Sequence, residues 1–363
     1  MIDTTIDSAQ AVRPGEEIDA VKLAAWLKGK LLGIEGPVTV EQFPGGHSNL
    51  TYLLRFGNSE LVLRRPPFGS RVKTAHDMGR EFKVLSRLHA AYPQAPRALL
   101  HCDDLEVIGA PFYLMERVRG VILRHQRAPE GLDLNPARMR SLSEAAVDGL
   151  VDLHAVDYRD VGLEDLGHPE GYVQRQVEGW TERWTKSRTD DVPDLDRAAA
   201  WLAGHLPPGS ETPALIHNDY KYDNLVLHPQ DLDRVVAVLD WEMATVGDPL
   251  MDLGTSLGYW MDPDDIPELR LLPAGPTTLP GNLDRAEVVE RYAARSGRDV
   301  SRILFYYVFG LFKIAVIAQQ IYYRYQQGLT RDERFAALIG AVRILGRTAA
   351  QAMAKGRIDR LDD

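Results

Sequence analysis

The spacing of apolar residues changes near Gly120, and this change constrains the fold of the 363-residue chain more than any other feature. Before it, short apolar segments separated by turns indicate strands, as in Leu50–Phe56, whose side chains alternate between two faces. After it, apolar residues recur at helical spacing. Because a chain of this length exceeds one small core, we predict a two-lobed α+β fold. An antiparallel β N-lobe with one main helix spans residues 1–118, and a mainly helical C-lobe spans residues 119–363.

The expected elements follow from periodicity and from turn residues. In the N-lobe they are helices over residues 18–32 and 74–91 and strands over residues 38–43, 50–56, 60–65, 98–101, 106–108 and 112–118. In the C-lobe they are helices over residues 136–156, 171–187, 195–205, 251–261, 286–296, 300–327 and 331–355. Residues 214–240 interrupt these helices as a strand, a loop and a second strand.

Composition argues against several classes of function. The net charge of −10 and the pI near 5.5 argue against a nucleic acid as the main partner, because such binding depends on clustered Lys and Arg. The apolar stretch Ile303–Gln319 contains Lys313 and is shorter than the roughly 20 residues that cross a bilayer, so a buried helix is expected. Cys102 is the single cysteine, and the N-terminal residues lack a secretory pattern. We therefore expect a cytoplasmic protein with small-molecule partners and no membrane partner.

The strongest chemical signal is the sequence His217-x-Asp219-x-x-x-x-Asn224, which follows one apolar strand and precedes another. A further apolar strand, residues 235–239, ends directly before Asp240. Phosphoryl transfer requires an acceptor oxygen aimed at the γ-phosphate and Mg²⁺ held by hard oxygen ligands. Asp219, Asn224 and Asp240 are residues of those types.

This segment resembles the catalytic loop and metal-binding strand of the protein-kinase-like superfamily, in its aminoglycoside phosphotransferase and choline kinase branch. The resemblance implies ATP and Mg²⁺ as cofactors. It also implies that Asp219 accepts or orients the proton of the acceptor hydroxyl, while Asn224 and Asp240 bind Mg²⁺. Trp241 and Glu242 replace the Phe-Gly of protein kinases, which favours the small-molecule branch.

Residues around this motif have both supporting and bland interpretations. Asp248 is placed to cap a helix, and Asp252, one turn later, is expected to face back and brace the catalytic loop. His217 is interpreted as a support for backbone geometry, and His154 as a helix-end or packing residue. The bland alternative for the whole set is a turn rich in Asp and Asn.

The N-lobe contains candidates for nucleotide binding in the order that the resemblance implies. Arg64 stands where most kinases of the superfamily have Lys, and Glu81 on the following helix is its expected partner. The alternative is an exposed salt bridge that contributes about 0–1 kcal/mol. Backbone groups near Glu116 and Val118 are expected to meet the adenine edge. A small-residue turn is expected to approach the phosphates through Gly45, Gly46, His47, Ser48 and Asn49.

The acceptor is less constrained by the sequence. The acidic residues 262–265 would allow a pocket for a polycationic aminoglycoside, or they form a solvated loop. Residues 62–67, with the turn at 45–49, resemble kinase-like domains found alone or fused to certain acyl-CoA dehydrogenases, which implies hydroxy-acid phosphorylation. The resulting hypothesis is an ATP-dependent kinase of a hydroxylated metabolite. The alternatives are an aminoglycoside O-phosphotransferase, a nucleotide-binding pseudokinase that acts as an interaction module, and a metal-dependent hydrolase.

Overall fold

A computed structural model of the chain describes residues 7–31, 34, 36–44, 49–68, 77–125, 131–208, 212–270, 272, 275–330 and 332–361. The chain forms two compact units. The first consists of Met1–Val121 with two later segments, Val226–Asp231 and Val236–Ala244. The second consists of Ile122–Leu225, Leu232–Val235 and Thr245–Asp363. The lobe boundary between residues 118 and 119 remains a prediction from the sequence.

The first unit is built on a five-stranded antiparallel sheet with the strand order β1-β2-β3-β5-β4. In the described part of this unit, three helices accompany the sheet. The strands are β1 (Thr39–Gln42), β2 (Leu50–Phe56), β3 (Ser59–Arg65), β4 (Ala98–Cys102) and β5 (Phe112–Glu116), and the helices are α1 (Ala20–Leu27), α2 (Met78–Leu88) and α3 (Leu105–Ile108).

Alternation along the central strands gives this sheet two different faces. Tyr52 and Leu63 are paired across β2 and β3, are both fully buried, and belong to one core cluster with Leu23 of α1. Arg64 points to the opposite face, because neighbouring side chains in a strand alternate. Helix α2 packs against β4 and β5 and buries Glu81 together with its apolar residues.

The expected strand over residues 106–108 is wrong, because these residues belong to α3. The Asp104 side chain accepts a hydrogen bond from the Glu106 N–H, and Gly109 ends the helix with φ 78°. These are standard signals for the start and end of a helix. Over three residues they outweigh the apolar pattern, which does not distinguish a strand from a helical turn.

The second unit is mainly helical. Its helices are α4 (Pro136–Ala155), α5 (Tyr172–Ser187), α6 (Pro193–Gly204), α7 (Pro249–Gly258), α8 (Pro267–Arg270), α9 (Arg285–Ser296), α10 (Ile303–Gln326) and α11 (Leu338–Lys355). The interruption at residues 214–240 contains β6 (Ala214–Ile216), β7 (Leu225–His228) and β8 (Asp231–Val238), and residues 226–231 and 236–240 of it belong to the first unit. Strand β6 pairs with β9 (Thr245–Gly247), and β7 pairs with β8.

Helices α7 and α10 make close backbone contact through two glycines. A Cβ atom on Gly254 would lie 2.2 Å from the carbonyl oxygen of Tyr306, and one on Gly310 would lie 2.1 Å from the carbonyl oxygen of Gly254. Both distances are shorter than any allowed contact, so each position requires glycine. The contact places two buried charged residues, Asp252 of α7 and Lys313 of α10, in the same region of the second unit.

Among the described residues, α10 has the length and composition of a membrane-crossing helix. However, 67% of its apolar window is buried inside the protein, as in the core helix of a soluble fold. Its first half contributes a run of buried aromatic residues that includes Phe305, Tyr307 and Phe309. The interpretation of this stretch as a buried helix therefore agrees with the structure.

Candidate functional site

The predicted catalytic loop leaves β6 of the second unit at Ile216 and leads into a short 3₁₀ turn, Tyr222–Asn224. Strand β6 is fully buried, which fixes the start of the loop. Asn218 then adopts φ 67°, in the left-handed region that Asn tolerates better than most residues. The chain turns at this residue, directly before Asp219.

Asp252 holds the loop from α7. Its Oδ2 accepts a hydrogen bond from the His217 N–H at 2.6 Å, and its Oδ1 accepts one from the Asn218 N–H at 2.7 Å. The Nε2 of His154 lies 3.1 Å from Oδ2. Burial raises the pKa of the Asp252 carboxyl group. The hydrogen bonds and charges of His154 and His217 lower it by more, so the pKa of Asp252 lies below its ordinary value. These contacts confirm the expected brace.

The Asp219 carboxylate lies between two side chains of its own loop. Lys221 Nζ lies 3.0 Å from it, and Asn224 Nδ2 donates to Asp219 Oδ2 at 3.0 Å and to the Asp219 carbonyl oxygen at 2.8 Å. Because the Asn224 nitrogen faces Asp219, its amide oxygen is the atom that can bind a cation. The Asp219 side chain is 19% exposed, so it is partly open to an incoming group.

Lys221 connects the loop to a small cavity in the same unit. Its ammonium group lies 4.5 Å from the centre of the Tyr259 ring. Burial lowers the pKa of Lys221, but Tyr259 and Asp219 raise it more, so the amine stays charged. The cavity has a volume of about 50 Å³ and is lined by Lys221, Tyr222, Asp223, Ser256, Tyr259, Trp260, Gly275 and Thr277. Two of its buried polar atoms, Ser256 Oγ and Asp223 Oδ1, have no hydrogen-bond partner among the residues that the structure describes.

In the first unit, Arg64 joins two carboxylates. Its Nη2 donates to Asp240 Oδ1 at 2.7 Å, and its Nε lies 3.2 Å from Glu81 Oε1. Arg64 and Glu81 are buried, so the alternative of an exposed salt bridge is wrong. Burial raises the pKa of Glu81, Arg64 lowers it and Asp240 raises it, with a net increase above its ordinary value.

Asp240 is itself in the left-handed region, with φ 67°, at the end of β8. The following residue, Trp241, is fully buried and donates its indole N–H to the Val238 carbonyl oxygen at 2.7 Å. Asn49 donates its side-chain amide to Glu242 Oε2 at 2.7 Å. The last residue of the predicted phosphate-binding turn is thus attached to the segment that carries Asp240. Gly45, Gly46, His47 and Ser48 lie outside the described residues.

The predicted adenine-binding strand is β5, which ends at Glu116. The Glu116 N–H already donates to the Arg97 carbonyl oxygen at 3.0 Å, and the Glu116 side chain accepts from the Arg97 N–H at 3.0 Å. That N–H is therefore engaged within the fold. Contact between adenine and the backbone of residues 116–118, including Val118, remains a prediction.

The acidic segment in the second unit is solvated at Pro263 and Asp264, which are exposed, but Asp262 and Asp265 do not line an open pocket. Both residues are buried and pair with the fully buried Arg285, whose Nη2 lies 2.5 Å from Asp265 Oδ1 and 3.2 Å from Asp262 Oδ2. Arg285 also donates to the carbonyl oxygens of Trp260 and Ile358. The segment is a structural ion-pair cluster that joins three parts of the unit.

Several residues of the two sites were not identified from the sequence. Lys221 was inside the motif, two positions after Asp219, so its spacing was a usable signal. The sequence pattern marks Lys313 only as an interruption of an apolar stretch and His154 only as a helix-end or packing residue. It marks Glu242 only as part of the replacement for the Phe-Gly of protein kinases. Its partner, Asn49, is 193 residues away in the chain, and no local pattern predicts such a pair.

Residues 39–302 match the family model for the phosphotransferase enzyme family. The acyl-CoA dehydrogenase family member 11 of Rattus norvegicus is 34% identical over 361 residues, which are 96% of this chain and 45% of that protein. The chain thus spans less than half the length of this curated relative.

Two solved structures show the same fold. A candidate aminoglycoside phosphotransferase from Ralstonia eutropha JMP134 is 31% identical, with a TM-score of 0.79 over 93% of this chain and 99% of that one. The aminoglycoside phosphotransferase APH(4)-Ia, solved with AMP-PNP and hygromycin B, is 17% identical, with a TM-score of 0.58 over 92% and 99% of the two chains. The chain belongs to the phosphotransferase enzyme family and has its α+β, protein-kinase-like fold.

Proposed function

We propose that the protein transfers the γ-phosphate of ATP to a hydroxyl group of a small-molecule metabolite. The observation that supports this most strongly is the environment of Asp219, a partly exposed carboxylate on a loop whose backbone is fixed by Asp252. A carboxylate in this position can take or orient the proton of an acceptor hydroxyl as its oxygen attacks phosphorus. The bond to the leaving ADP oxygen breaks in the same displacement.

Arg64 is the proposed phosphate-binding cation of the first unit. A guanidinium group has five N–H donors in a fixed plane, so it can contact Glu81 and Asp240 and still present donors to phosphate. The contact with Glu81 parallels the Lys–Glu pair of kinases. This geometry favours a working enzyme over the pseudokinase alternative, which rested on the replacement of Lys by Arg.

Asp240 and Asn224 remain the proposed Mg²⁺ ligands, and their chemistry fits that ion. Both carry the hard oxygen atoms that Mg²⁺ prefers, and Mg²⁺ at phosphate sites takes only one or two protein ligands beside water and phosphate oxygens. When bound, Mg²⁺ would neutralise charge on the phosphate chain. No cluster of three or more His, Cys, Asp or Glu residues suited to a metal occurs in the described part of the chain. The metal-dependent hydrolase is therefore the weaker alternative.

The acceptor is proposed to be a hydroxylated metabolite, such as a hydroxy acid, rather than an aminoglycoside. Polycationic antibiotics need an open anionic pocket, whereas the acidic residues Asp262 and Asp265 are buried and paired with Arg285 inside the fold. The cavity beside Lys221 carries aromatic and small side chains with one cation, Lys221, and one carboxylate, Asp223. A lining with one charge of each sign suits a small acceptor better than a polycation.

The proposal is tested by Mg²⁺-dependent ADP formation from ATP with a panel of hydroxy acids, amino alcohols, sugars and aminoglycosides. Asp219→Ala is expected to reduce transfer by about 10²-fold to 10⁴-fold and to leave ATP binding intact, because its role concerns the acceptor proton. The control is Asp231→Ala, which removes an exposed carboxylate at the start of β8. Tight ATP binding without transfer to any acceptor would instead identify a pseudokinase.

A further inference from the structure

Lys313 of α10 is a buried lysine that the proposed transfer reaction does not yet use. Its side chain is 2% exposed, and its Nζ donates to the Asn218 carbonyl oxygen at 2.7 Å. Burial lowers the pKa of Lys313 to about 8, although Asp219 and Asp252 act in the opposite direction. An ammonium group in such a place is unfavourable without a specific partner. Its partner is the residue directly before Asp219.

Asn218 is therefore held at both of its backbone groups. The N–H donates to Asp252, and the carbonyl oxygen accepts from Lys313. Left-handed backbone conformations of non-glycine residues are uncommon and persist where the surroundings fix them. The peptide group that leads from Asn218 into Asp219 is held at both ends, because its carbonyl oxygen accepts from Lys313 and its N–H donates to His217 Nδ1 at 3.2 Å.

We propose that Lys313 is a positioning residue for the transfer reaction. By holding the Asn218 carbonyl oxygen, its ammonium group fixes the backbone from which the Asp219 side chain projects. This inference rests on the proposed function. It adds a role for a helix that carries no part of the sequence motif.

The reaction supplies a specific signature of such a role. A displaced Asp219 would slow the chemical step and leave nucleotide binding unchanged, because Lys313 and Asp219 belong to the second unit, whereas Arg64, Glu81 and Asp240 belong to the first. A misplacement of about 1 Å at a reacting group reduces the rate by about 10²-fold. We therefore expect Lys313→Met to lower kcat by about that factor with an unchanged KM for ATP.

Gln319 of the same helix provides a matched control. It is fully buried, and its side-chain amide donates to the Ser187 carbonyl oxygen at 2.7 Å, away from the catalytic loop. Gln319→Met also removes a buried donor from a backbone carbonyl, so it measures the general effect of such a loss on the fold. Its kcat is expected to stay within about twofold of the natural protein, because no catalytic group moves.

The experiment measures kcat and KM for the natural protein, Lys313→Met, Lys313→Gln and Gln319→Met. Gln retains an N–H donor without the charge, so it should recover part of the rate that Met loses, and it carries the test if Lys313→Met does not fold. Equal kcat values for Lys313→Met and Gln319→Met would overturn the proposal. So would a crystal structure of Lys313→Met in which Asn218 and Asp219 keep their conformations. That structure decides the question even if no acceptor supports transfer, which would be a failure of the proposed function alone.

Discussion

Asp219 and Asp240 are both proposed to act in phosphoryl transfer, and each follows a strand at a left-handed turn, which is Asn218 for the first and Asp240 itself for the second. The protein nevertheless holds them differently. At Asp219 the preceding backbone is fixed by hydrogen bonds that it donates to Asp252 and one that it accepts from Lys313. At Asp240 the carboxylate itself is paired with the Arg64 guanidinium group. The first arrangement fixes the direction of the backbone before Asp219, and the second pairs the Asp240 carboxylate with a cation.

The difference has a consequence for ligand binding. The Asp219 carboxylate contacts Lys221 and Asn224 of its own loop, and further support acts on the preceding backbone. Asp240 shares its carboxylate with Arg64, a side chain of β3 that is also proposed to contact phosphate. The site in the first unit therefore depends on charge balance, whereas the site in the second unit depends on hydrogen-bond geometry.

Removal of Arg64 tests charge balance and should have the largest effect on stability. Arg64→Met leaves Glu81 buried and Asp240 partly buried without their cation, and loss of one partner of a buried ion pair costs about 3–5 kcal/mol. We expect the free energy of unfolding in urea to fall by that amount. Mg²⁺-dependent ATP binding should weaken at the same time.

Arg65 is the natural control, because it is the next residue in β3, is equally buried, and donates to the carbonyl oxygens of Pro66 and Ile108 instead of carboxylates. Arg65→Met should cost about 1–3 kcal/mol, the usual penalty for buried acceptors that lose a donor. Similar losses for the two variants would show that packing of the long side chain, and not charge balance, explains the Arg64 effect.

Asp252→Asn tests the hydrogen-bond geometry of the second unit and should have a smaller effect on stability. Asp252 accepts from two backbone N–H groups with its two oxygens, and an amide nitrogen cannot accept from either. One N–H group would therefore lose its partner inside the fold. We expect the free energy of unfolding to fall by about 2 kcal/mol and the rate of transfer to fall with it.

Asp248→Asn is the comparison variant, because Asp248 is also buried but caps the start of α7 and accepts from the Tyr306 hydroxyl. Asn is as good as Asp at the start of a helix, so this change should be nearly neutral. If Asp252→Asn were equally neutral in stability and rate, the catalytic loop would not depend on the brace.

The sequence predicted the parts of both sites that are encoded locally. The spacing of His217, Asp219 and Asn224 predicted the loop after β6, because these residues are close in the chain. The brace from Asp252, 34 residues beyond Asn218, was predicted from the family resemblance, which continues to that position. The prediction failed over residues 106–108, where an apolar pattern of three residues competes with capping by Asp104 and Gly109. Short segments carry too little periodicity to decide between a strand and a helical turn.

Contacts between distant segments could not be predicted in the same way. Lys313 lies 95 residues beyond Asn218, and a lysine in an apolar stretch is equally consistent with an exposed position at the end of a helix. Asp262 and Asp265 illustrate the opposite error, because an acidic run reads as a solvated loop unless its buried partner, Arg285, is known. Burial of a charge is a property of the tertiary structure, so its sequence signal is weak.

The pH dependence of stability distinguishes Lys313 from Arg64, because Arg64 keeps its charge at any accessible pH. The pKa of Lys313 is lowered from 10.5 to about 8 by burial, against Asp219 and Asp252, while Lys221 and Arg183 lower it further. At a pH between these two pKa values, Lys313 carries a proton in the unfolded chain but not in the folded protein. The free energy of unfolding of the natural protein should therefore rise with pH relative to Lys313→Met.

Relative to Lys313→Met, the free energy of unfolding should rise by about 1 kcal/mol between roughly pH 7 and roughly pH 9. This rise should vanish below the pKa of Lys313 in the folded protein, where the lysine is protonated in both states. Urea unfolding of the natural protein, Lys313→Met and Gln319→Met over this range measures it. Gln319→Met should follow the natural protein, because Lys313 still titrates in it. Parallel curves for all three proteins would mean that Lys313 has an ordinary pKa. In that case the hydrogen bond to Asn218 and the charges of Asp219 and Asp252 would balance the cost of burying the ammonium group.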